Sequence, residues 1–367
     1  MSALAVSLAS LAVGQPTQEA PALPGTIRAV AVSGGGYFPV AVALSDGRLA
    51  AVLRGGAPHL GKAGRLDWIE SSDSGATWST PRVVADSEWD DRNPAVGEMP
   101  DGTIVVAYGE CSCYDENGRY DPAVGRFRLV YRTSADGGSS WSEPVDLSHP
   151  FGNGGSPYGR IVALPDGRAL MSVYGGPRDE TRGLFTVGPE KFTDAVGFLV
   201  SRDSGRTWAD FHPIARGYNE TALLPLPNGE LLAFARSDGD QHTALFRSPD
   251  GGATWSGPHR LTLGSQHPAD AALLADGDVL VAYGSRLAPF GVHVLRAGPE
   301  EDFAAAPRFA AASDSSSTDQ GYPSVVVAPD GKAVLLYYAV GTSERPGEEQ
   351  ALCVRFDPGS VPKEARQ

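Results

Sequence analysis

The sequence predicts an all-β protein, a six-bladed β-propeller of four-stranded antiparallel blades, and two periodicities carry that expectation. The first is an Asp-Gly or Asn-Gly pair set between apolar, strand-like runs. It is written six times: Asp46-Gly47, Asp101-Gly102, Asp166-Gly167, Asn228-Gly229, Asp276-Gly277 and Asp330-Gly331. Such pairs are the strongest short-range hairpin signal, and a type I′ turn, with φ > 0 at both central residues, is expected at each. Spacings of 55, 65, 62, 48 and 54 residues leave room for four short strands apiece, so six turns count six blades.

The second periodicity is an eight-residue box beginning at Ser71, Ser134, Ser201 and Ser248 and ending at Trp78, Trp141, Trp208 and Trp255. Its aspartates, Asp73, Asp136, Asp203 and Asp250, are 63, 67 and 47 residues apart. In each copy the carboxylate caps backbone N–H groups, Gly supplies a positive φ, and Thr and Trp open a strand. With one carboxylate per copy and no ligand series, a Ca²⁺ loop is a poor reading.

The boxes fall in the second hairpin of blades one to four. In blade five the matching stretch, residues 297–303, has lost the motif. Blade six runs out of chain near Phe356, so an early strand at residues 26–33 is expected to supply its outer strand and close the ring. No segment sustains a 3.6-residue apolar period, so helix should be scarce.

Composition agrees. The chain of 367 residues is long enough for a sizeable core, and closed β architectures run long as one domain. A formal charge of −14 with no Lys/Arg cluster argues against nucleic acid or an anionic membrane as partner. No apolar run approaches 18 residues, so no membrane span is expected. Residues 1–24 read as a leader and linker, apolar and small up to Val13 and then Gln/Pro/Glu/Ala-rich, with the propeller at 25–367. The leader resembles a secretory h-region without its basic n-region, which points to a secreted or periplasmic protein, a cytosolic chain with a disordered leader being the alternative. Three cysteines, Cys111, Cys113 and Cys353, make no disulfide framework, and Cys-x-Cys alone is a weak metal signal; no metal and no cofactor is expected.

Aligning the copies on their turns shows where chemistry would sit. Eight residues before each turn stand Phe38, Asn93, Tyr158, Glu220, Pro268 and Tyr322, with His267 and Arg92 one place earlier in their copies. Eight residues after the turn stand Arg54, Gly109, Tyr174, Arg236, Gly284 and Tyr338. Inner strands therefore begin with polar or aromatic residues and continue apolar, and a ring of convergent polar groups at a channel mouth is a binding-site pattern.

Ser-x-Asp-x-Gly-x-Thr-Trp resembles the Asp-box of the sialidase (neuraminidase) superfamily over residues 27–357. The run from Asn219-Glu220 through Asn228-Gly229 to Ala235-Arg236 is similar to the stretch that carries a Glu and then a substrate-carboxylate Arg. Gly321-Tyr322-Pro323 resembles the stretch whose Tyr is the nucleophile. The resemblance implies an exo-acting glycoside hydrolase that releases a terminal, acidic sugar from a glycan. Tyr322 would be nucleophile, Glu220 its base and Arg236 a carboxylate ligand. The chemistry fits: a sialic acid carries a carboxylate on its anomeric carbon and repels an anionic nucleophile, whereas a neutral Tyr can approach and hand its proton to Glu. Each residue has a plainer reading, respectively a channel-wall aromatic, a structural carboxylate and that carboxylate's counter-ion.

Two departures stand beside the match. Where the family opens blade one with Arg-Ile-Pro, this chain has Tyr37-Phe38-Pro39. The loop that should hold a general-acid Asp reads Gly55-Gly56-Ala57-Pro58-His59-Leu60-Gly61. His59, a residue type able to donate a proton near neutrality, and Asp67, the nearest carboxylate, are the candidates for that role. Arg286 is the candidate third arginine. Arg54, Arg92 and Arg160, with His267, Tyr158 and Asn93, are further candidates for binding substrate. A propeller glycosidase for another sugar and a non-catalytic glycan- or protein-binding propeller remain open readings. Insertions at 110–126 and 175–195 either shape access to the mouth or are plain solvated loops.

Overall fold

A computed structural model describes residues 20–121, 124–151, 154–176 and 194–363. The leader reading falls mostly on residues 1–19 and lies outside them, as does most of the 175–195 insertion.

Six small sheets are arranged as the blades of a propeller. Blade one consists of Tyr37–Ala43, Leu49–Gly55, Arg65–Ser71 and Arg82–Ala85. Blades two, four and five begin at Asp90–Glu98, Tyr218–Pro225 and Gln266–Leu273. Blade six holds Gln320–Val327, Ala333–Val340 and Glu349–Phe356, and its outer strand is Ile27–Ser33, paired antiparallel with Glu349–Phe356. The ring is thus closed by the first strand of the chain, as the sequence requires. Folded structure begins slightly earlier than Gly25: Leu23 is buried and its N–H donates to Ala310 O of blade five (2.8 Å), while Ala310 N donates to Pro21 O (2.9 Å). The described residues contain no α-helix, only one 3-10 turn at Pro358–Ser360 and therefore no helix able to cross a membrane.

The core lies between blades. One cluster of buried side chains fills each interface, such as Val52, Trp68, Val106 and Tyr108 between blades one and two, and Leu53, Val326 and Leu336 between six and one. Every inner-strand hairpin shares one turn, but it is not type I′. At the first, Gly47 N donates to Leu44 O (3.0 Å), Leu44 N donates to Arg48 O (2.8 Å), and only Gly47 has a positive φ, 87°. This is a type I turn closed by a glycine bulge, and Asp46 Oδ1 explains it by accepting from Arg48 N at 3.0 Å. An Asp in the ordinary right-handed region keeps that bond at no steric cost.

The boxes sit on outer hairpins, away from the axis, in blades one to four. Asp203 Oδ1 accepts from Thr207 N (2.9 Å) and from Ser201 Oγ (2.9 Å), and Oδ2 accepts from Thr207 Oγ1 (2.6 Å). Gly205 is required twice over. Its φ is 77°, and a Cβ there would lie 2.4 Å from Val105 of the preceding blade. The box is therefore a clasp that lays one blade's turn flat against its neighbour. In blade five, Phe303 does the same work without a box, buried between blades four and five at 6.1 Å from Phe234.

Blade three is irregular where the site needs it to be. Its inner strand pairs with its own blade at Gly155–Pro157 and Val162–Ala163, but between them Gly159–Arg160 swings across to pair parallel with Ala95 and Val96 of blade two. That excursion sends Arg160 over the propeller axis. Its guanidinium makes a two-pronged pair with Asp270 of blade five (2.6 and 2.9 Å) and donates to Val325 O of blade six (2.8 Å). Asp270 also accepts from Ser324 Oγ (3.2 Å) and Val325 N (2.8 Å).

Two stability predictions follow from these contacts. Trp208, 6% exposed and bonded through Nε1 to Gly205 O, should cost about 3–5 kcal/mol when replaced by Ala. Arg160→Ala leaves Asp270 buried without its cation and should cost about 3–5 kcal/mol, whereas Arg160→Ala with Asp270→Ala should cost less than the sum of the singles. Urea unfolding midpoints measure both. Additive singles would mean that the pair is not a coupled brace.

Candidate active site

Five inner strands begin with a register shift, seen for instance between Tyr37 and Val40, Arg92 and Ala95, and Gly321 and Ser324. At three of them the shifted residue is left-handed although it is not glycine: Phe38 (φ 53°), Asn93 (54°) and Tyr322 (51°), each followed by proline. Such backbone costs about 1–3 kcal/mol per residue and persists where the surroundings over-determine it. The bulge re-aims the side chain, and these residues line a pocket with Tyr158, Tyr174, Glu220 and Asp270. The Arg160–Asp270 brace lies at its floor.

At the wall of this cavity three of the expected residues meet. Tyr322 Oη donates to Glu220 Oε1 at 2.7 Å, and Arg236 Nη1 donates to Glu220 Oε2 at 2.7 Å and lies 3.4 Å from Tyr322 Oη. Burial and the Glu220 carboxylate push the Tyr322 phenol well above its ordinary range, against the opposing pull of Arg236 and Arg286. The hydroxyl is therefore protonated, with its proton aimed at a carboxylate. Glu220 is held in turn by Asn219, whose Oδ1 accepts from Glu220 N at 2.8 Å.

Arg286 stands over the Tyr322 ring at 5.8 Å and donates to the carbonyls of His267 and, at 2.9 Å, Gln320. Among the described residues its partners are carbonyls and a histidine ring, so its charge is not cancelled by a bonded carboxylate. Burial and the neighbouring Arg286 and Arg236 keep His267 far below the usual histidine range, hence neutral. Tyr158 is 6.5 Å from the Tyr322 ring, and Asn93 lines the cavity while its amide donates to Ser156 Oγ at 3.0 Å.

Three candidate arginines are used elsewhere. Arg160 is the brace. Arg54 is fully buried: it pairs with Asp90 at 2.6 Å and donates to the carbonyls of Ala57 (3.1 Å), Pro58 (2.6 Å) and Gly61 (2.9 Å). No N–H of Arg54 is left for a substrate. Arg92 also turns to Asp90, at 3.2 Å, and packs over the Phe38 ring. Asp67 lies on the third strand of blade one, buried and paired with Arg65 at 2.9 Å, and is not among the residues lining the cavity. Its place on the third strand, two strands out from the innermost one, sets it away from the axis.

His59, by contrast, is at the mouth. Its ring meets Phe38 edge-on at 4.9 Å, and Nδ1 lies 2.7 Å from Asp319 Oδ1. Asp319 and Tyr338 were not singled out from sequence. Tyr338 and Tyr174 occupy the same aligned place as Arg236, a signal that could have found them, whereas Asp319 precedes its blade's first strand and had none. Asp270 did have one, as an acid inside an otherwise apolar inner strand. The 110–126 insertion backs the His59 loop: Tyr114 Oη accepts from Gly61 N (3.1 Å) and donates to Asp90 Oδ2 (2.6 Å). Among the described residues no group of three His, Cys, Asp or Glu side chains could hold a metal.

Behind Glu220, Asn219 Nδ2 bridges two carboxyls, Asp238 (2.5 Å) and Asp194 (3.3 Å). Burial, and then the Asp194 carboxylate, push Asp238 up to about 7. Its folded value exceeds the unfolded one of about 3.9, so its contribution to stability is full below pH ~4 and is lost as pH rises through 7. Asp238→Asn should therefore gain stability relative to wild type between pH 5 and 8. A gap between the two unfolding midpoints that is independent of pH would contradict this.

A family model described as a BNR repeat-like domain matches residues 68–335, most of the chain. A sialidase of Paraclostridium sordellii is 24% identical over 206 residues, 51% of this chain and 48% of that protein, so the match spans about half of the relative's length. Among solved structures, a protein of unknown function from Dyadobacter fermentans superposes with a TM-score of 0.77 at 23% identity, covering 90% of this chain and 99% of that one. The Hadza microbial sialidase Hz136 does so at 0.66 and 17%, covering 89% and 66%. Trypanosoma rangeli sialidase, solved as a covalent intermediate with 2,3-difluorosialic acid, gives 0.63 and 16%, covering 93% and 60%. With the boxes, the six blades and the matched model in agreement, the chain belongs to the BNR repeat-like domain family, on the propeller fold shared with sialidases.

Proposed function

We propose that this protein is a retaining exo-glycoside hydrolase of the sialidase type, releasing a terminal acidic sugar through a covalent intermediate on Tyr322. The observation that carries the reading is the 2.7 Å contact from Tyr322 Oη to Glu220 Oε1, with Arg236 bonded to the other carboxylate oxygen. A phenol raised by burial is a poor nucleophile until its proton leaves, and Glu220 is placed to take that proton as the bond to the anomeric carbon forms. Arg236 then stabilises whichever oxygen bears charge. Arg286, not cancelled by a bonded carboxylate, supplies the cation for the sugar's own carboxylate, and its planar fork suits a two-pronged contact. The T. rangeli structure, a covalent intermediate on the same fold, lends support by analogy.

A second reading has one observation in its favour. Phe38 occupies the place where the family holds its first arginine, and an aromatic wall suits a less acidic sugar equally well. A glycan panel decides between them, with sialyl, uronyl and neutral terminal sugars offered to the purified protein. Release of the sialyl residue is expected. Tyr322→Phe should fall to background while keeping the wild-type unfolding midpoint, and Glu220→Gln should lose about 10²–10⁴-fold. Wild-type protein treated with 2,3-difluorosialic acid should carry the sugar's mass on the Tyr322 peptide. Activity of Tyr322→Phe within a few-fold of wild type overturns the mechanism. Release of neutral sugars alone selects the second reading, and release of none leaves a binding propeller.

A further inference from the structure

The glycosidic oxygen needs a proton as its bond to the sugar breaks, and no carboxylate stands in the loop where the family's acid is expected. We propose that His59, held by Asp319, is the proton donor and later the base that activates water, an inference that rests on the glycosidase reading above.

Three independent features of the structure build this pair. The first is the contact itself: Asp319 Oδ1 is 2.7 Å from His59 Nδ1 and also accepts from Tyr338 Oη at 2.6 Å. A carboxylate on Nδ1 fixes that nitrogen as the N–H and leaves Nε2 as the nitrogen that exchanges a proton with a reactant. The second is location. His59 packs edge-on against Phe38 at 4.9 Å, and Phe38 packs against the Tyr322 ring at 4.8 Å, so donor and nucleophile flank one aromatic side chain. The third is the loop. Arg54 donates to the carbonyls of Ala57, Pro58 and Gly61, on both sides of His59, from a buried pair with Asp90. A short surface loop with no further role does not require a fully buried arginine beneath it. His59 itself remains about one-third exposed, open to a leaving group arriving from solvent.

The steps balance as follows. Protonated His59 gives its Nε2 proton to the glycosidic oxygen as the bond to the anomeric carbon breaks, and the aglycone leaves as a neutral alcohol. Tyr322 Oη forms the new bond and passes its proton to Glu220. Water then attacks the anomeric carbon, neutral His59 takes the water proton, and Glu220 returns its proton to Tyr322 as the sugar departs. The net reaction is hydrolysis, with every protein group restored.

Asp319 is a positioning residue. The charged and titratable groups around the imidazole are Asp319, Tyr338 and Tyr37, with Arg286 beside Asp319 and Glu349 beside Tyr37. Burial works to raise the Asp319 carboxyl, but its bonds from His59 and Tyr338 outweigh that and keep it ionised. Its carboxylate fixes the orientation of the imidazole, so Asp319→Asn should lower kcat/KM selectively on a substrate whose leaving group needs a proton.

The test compares two sialosides, one with an aryl leaving group that departs unaided and one linked to lactose, whose alkoxide needs a proton. His59→Ala should lose about 10²–10⁴-fold in kcat/KM on the lactose-linked substrate and at most about tenfold on the aryl one. Asp319→Asn should show the same ordering with smaller losses, the aryl substrate again being spared. Equal losses of His59→Ala on both substrates, with no leaving-group dependence in Asp319→Asn, overturn the assignment and leave Tyr322 chemistry standing. A wild-type protein that cleaves neither sialoside, together with an unlabelled Tyr322, overturns the glycosidase reading and this inference with it.

Discussion

A ring of blades has a hole on its axis, and here a single guanidinium fills it. Arg160, Asp270 and Ser324 all stand six residues before their hairpin turns, so the three polar groups belong to one layer of the ring; Val40, Ala95 and Ala222 complete that layer. A buried ion pair of this sort stabilises little compared with apolar packing of the same volume, yet removing one partner is costly. Its effect is geometric: it joins blades three, five and six to one point and fixes how far the inner strands approach the axis. The mouth layer, two residues earlier in each inner strand, inherits that spacing. Blade three leaves its own sheet for two residues to place Arg160, which is why its inner strand is the most broken of the six.

Above this floor the same strand position is used several ways. Strand bulges turn Phe38, Asn93 and Tyr322 toward the cavity at the expense of left-handed backbone, while Glu220 reaches it from a bulge without that strain. The second strands contribute Tyr174, Arg236 and Tyr338 at one common place. A functional constellation therefore arises from repetition. Six equivalent sites are offered by the fold, and substitution at each decides between aromatic wall, hydroxyl, carboxylate and cation.

Blade number, box location and ring closure were all legible in the sequence because turn chemistry and strand length are local properties. The turn type was not: an Asp-Gly pair serves both a type I′ turn and a type I turn with a glycine bulge, and the Asp side-chain bond to the residue after Gly selects the latter. Tyr322, Glu220 and Arg236 were singled out through the resemblance of their stretches; the repeat alignment puts only Tyr322 and Glu220 at one strand position, and the structure brings all three side chains together. The arginines divided less well. Arg54 shares its aligned place with Arg236, but an acid 36 residues on, Asp90, captured it, and nothing in the local sequence announces that partnership. Asp319 was invisible for the same reason, because its partner His59 lies 260 residues away.

These partnerships also bear on the proposal that a chain of net charge −14 binds an acidic sugar. Arg160 is matched by Asp270, and Arg54 and Arg92 share Asp90, so most of the positive charge near the axis is already taken up inside the protein. Arg236 is half committed to Glu220, and among the described residues Arg286 is bonded to carbonyl and imidazole partners. Under the function proposed above, long-range steering of an acidic glycan would be opposed by the protein's overall charge, and recognition would have to rest on short-range contacts: Arg286 and the aromatic side chains of Phe38, Tyr158 and Tyr322. A site built this way would discriminate by fit more than by charge, with Phe38 in the place of an arginine giving up electrostatic pull for an apolar surface.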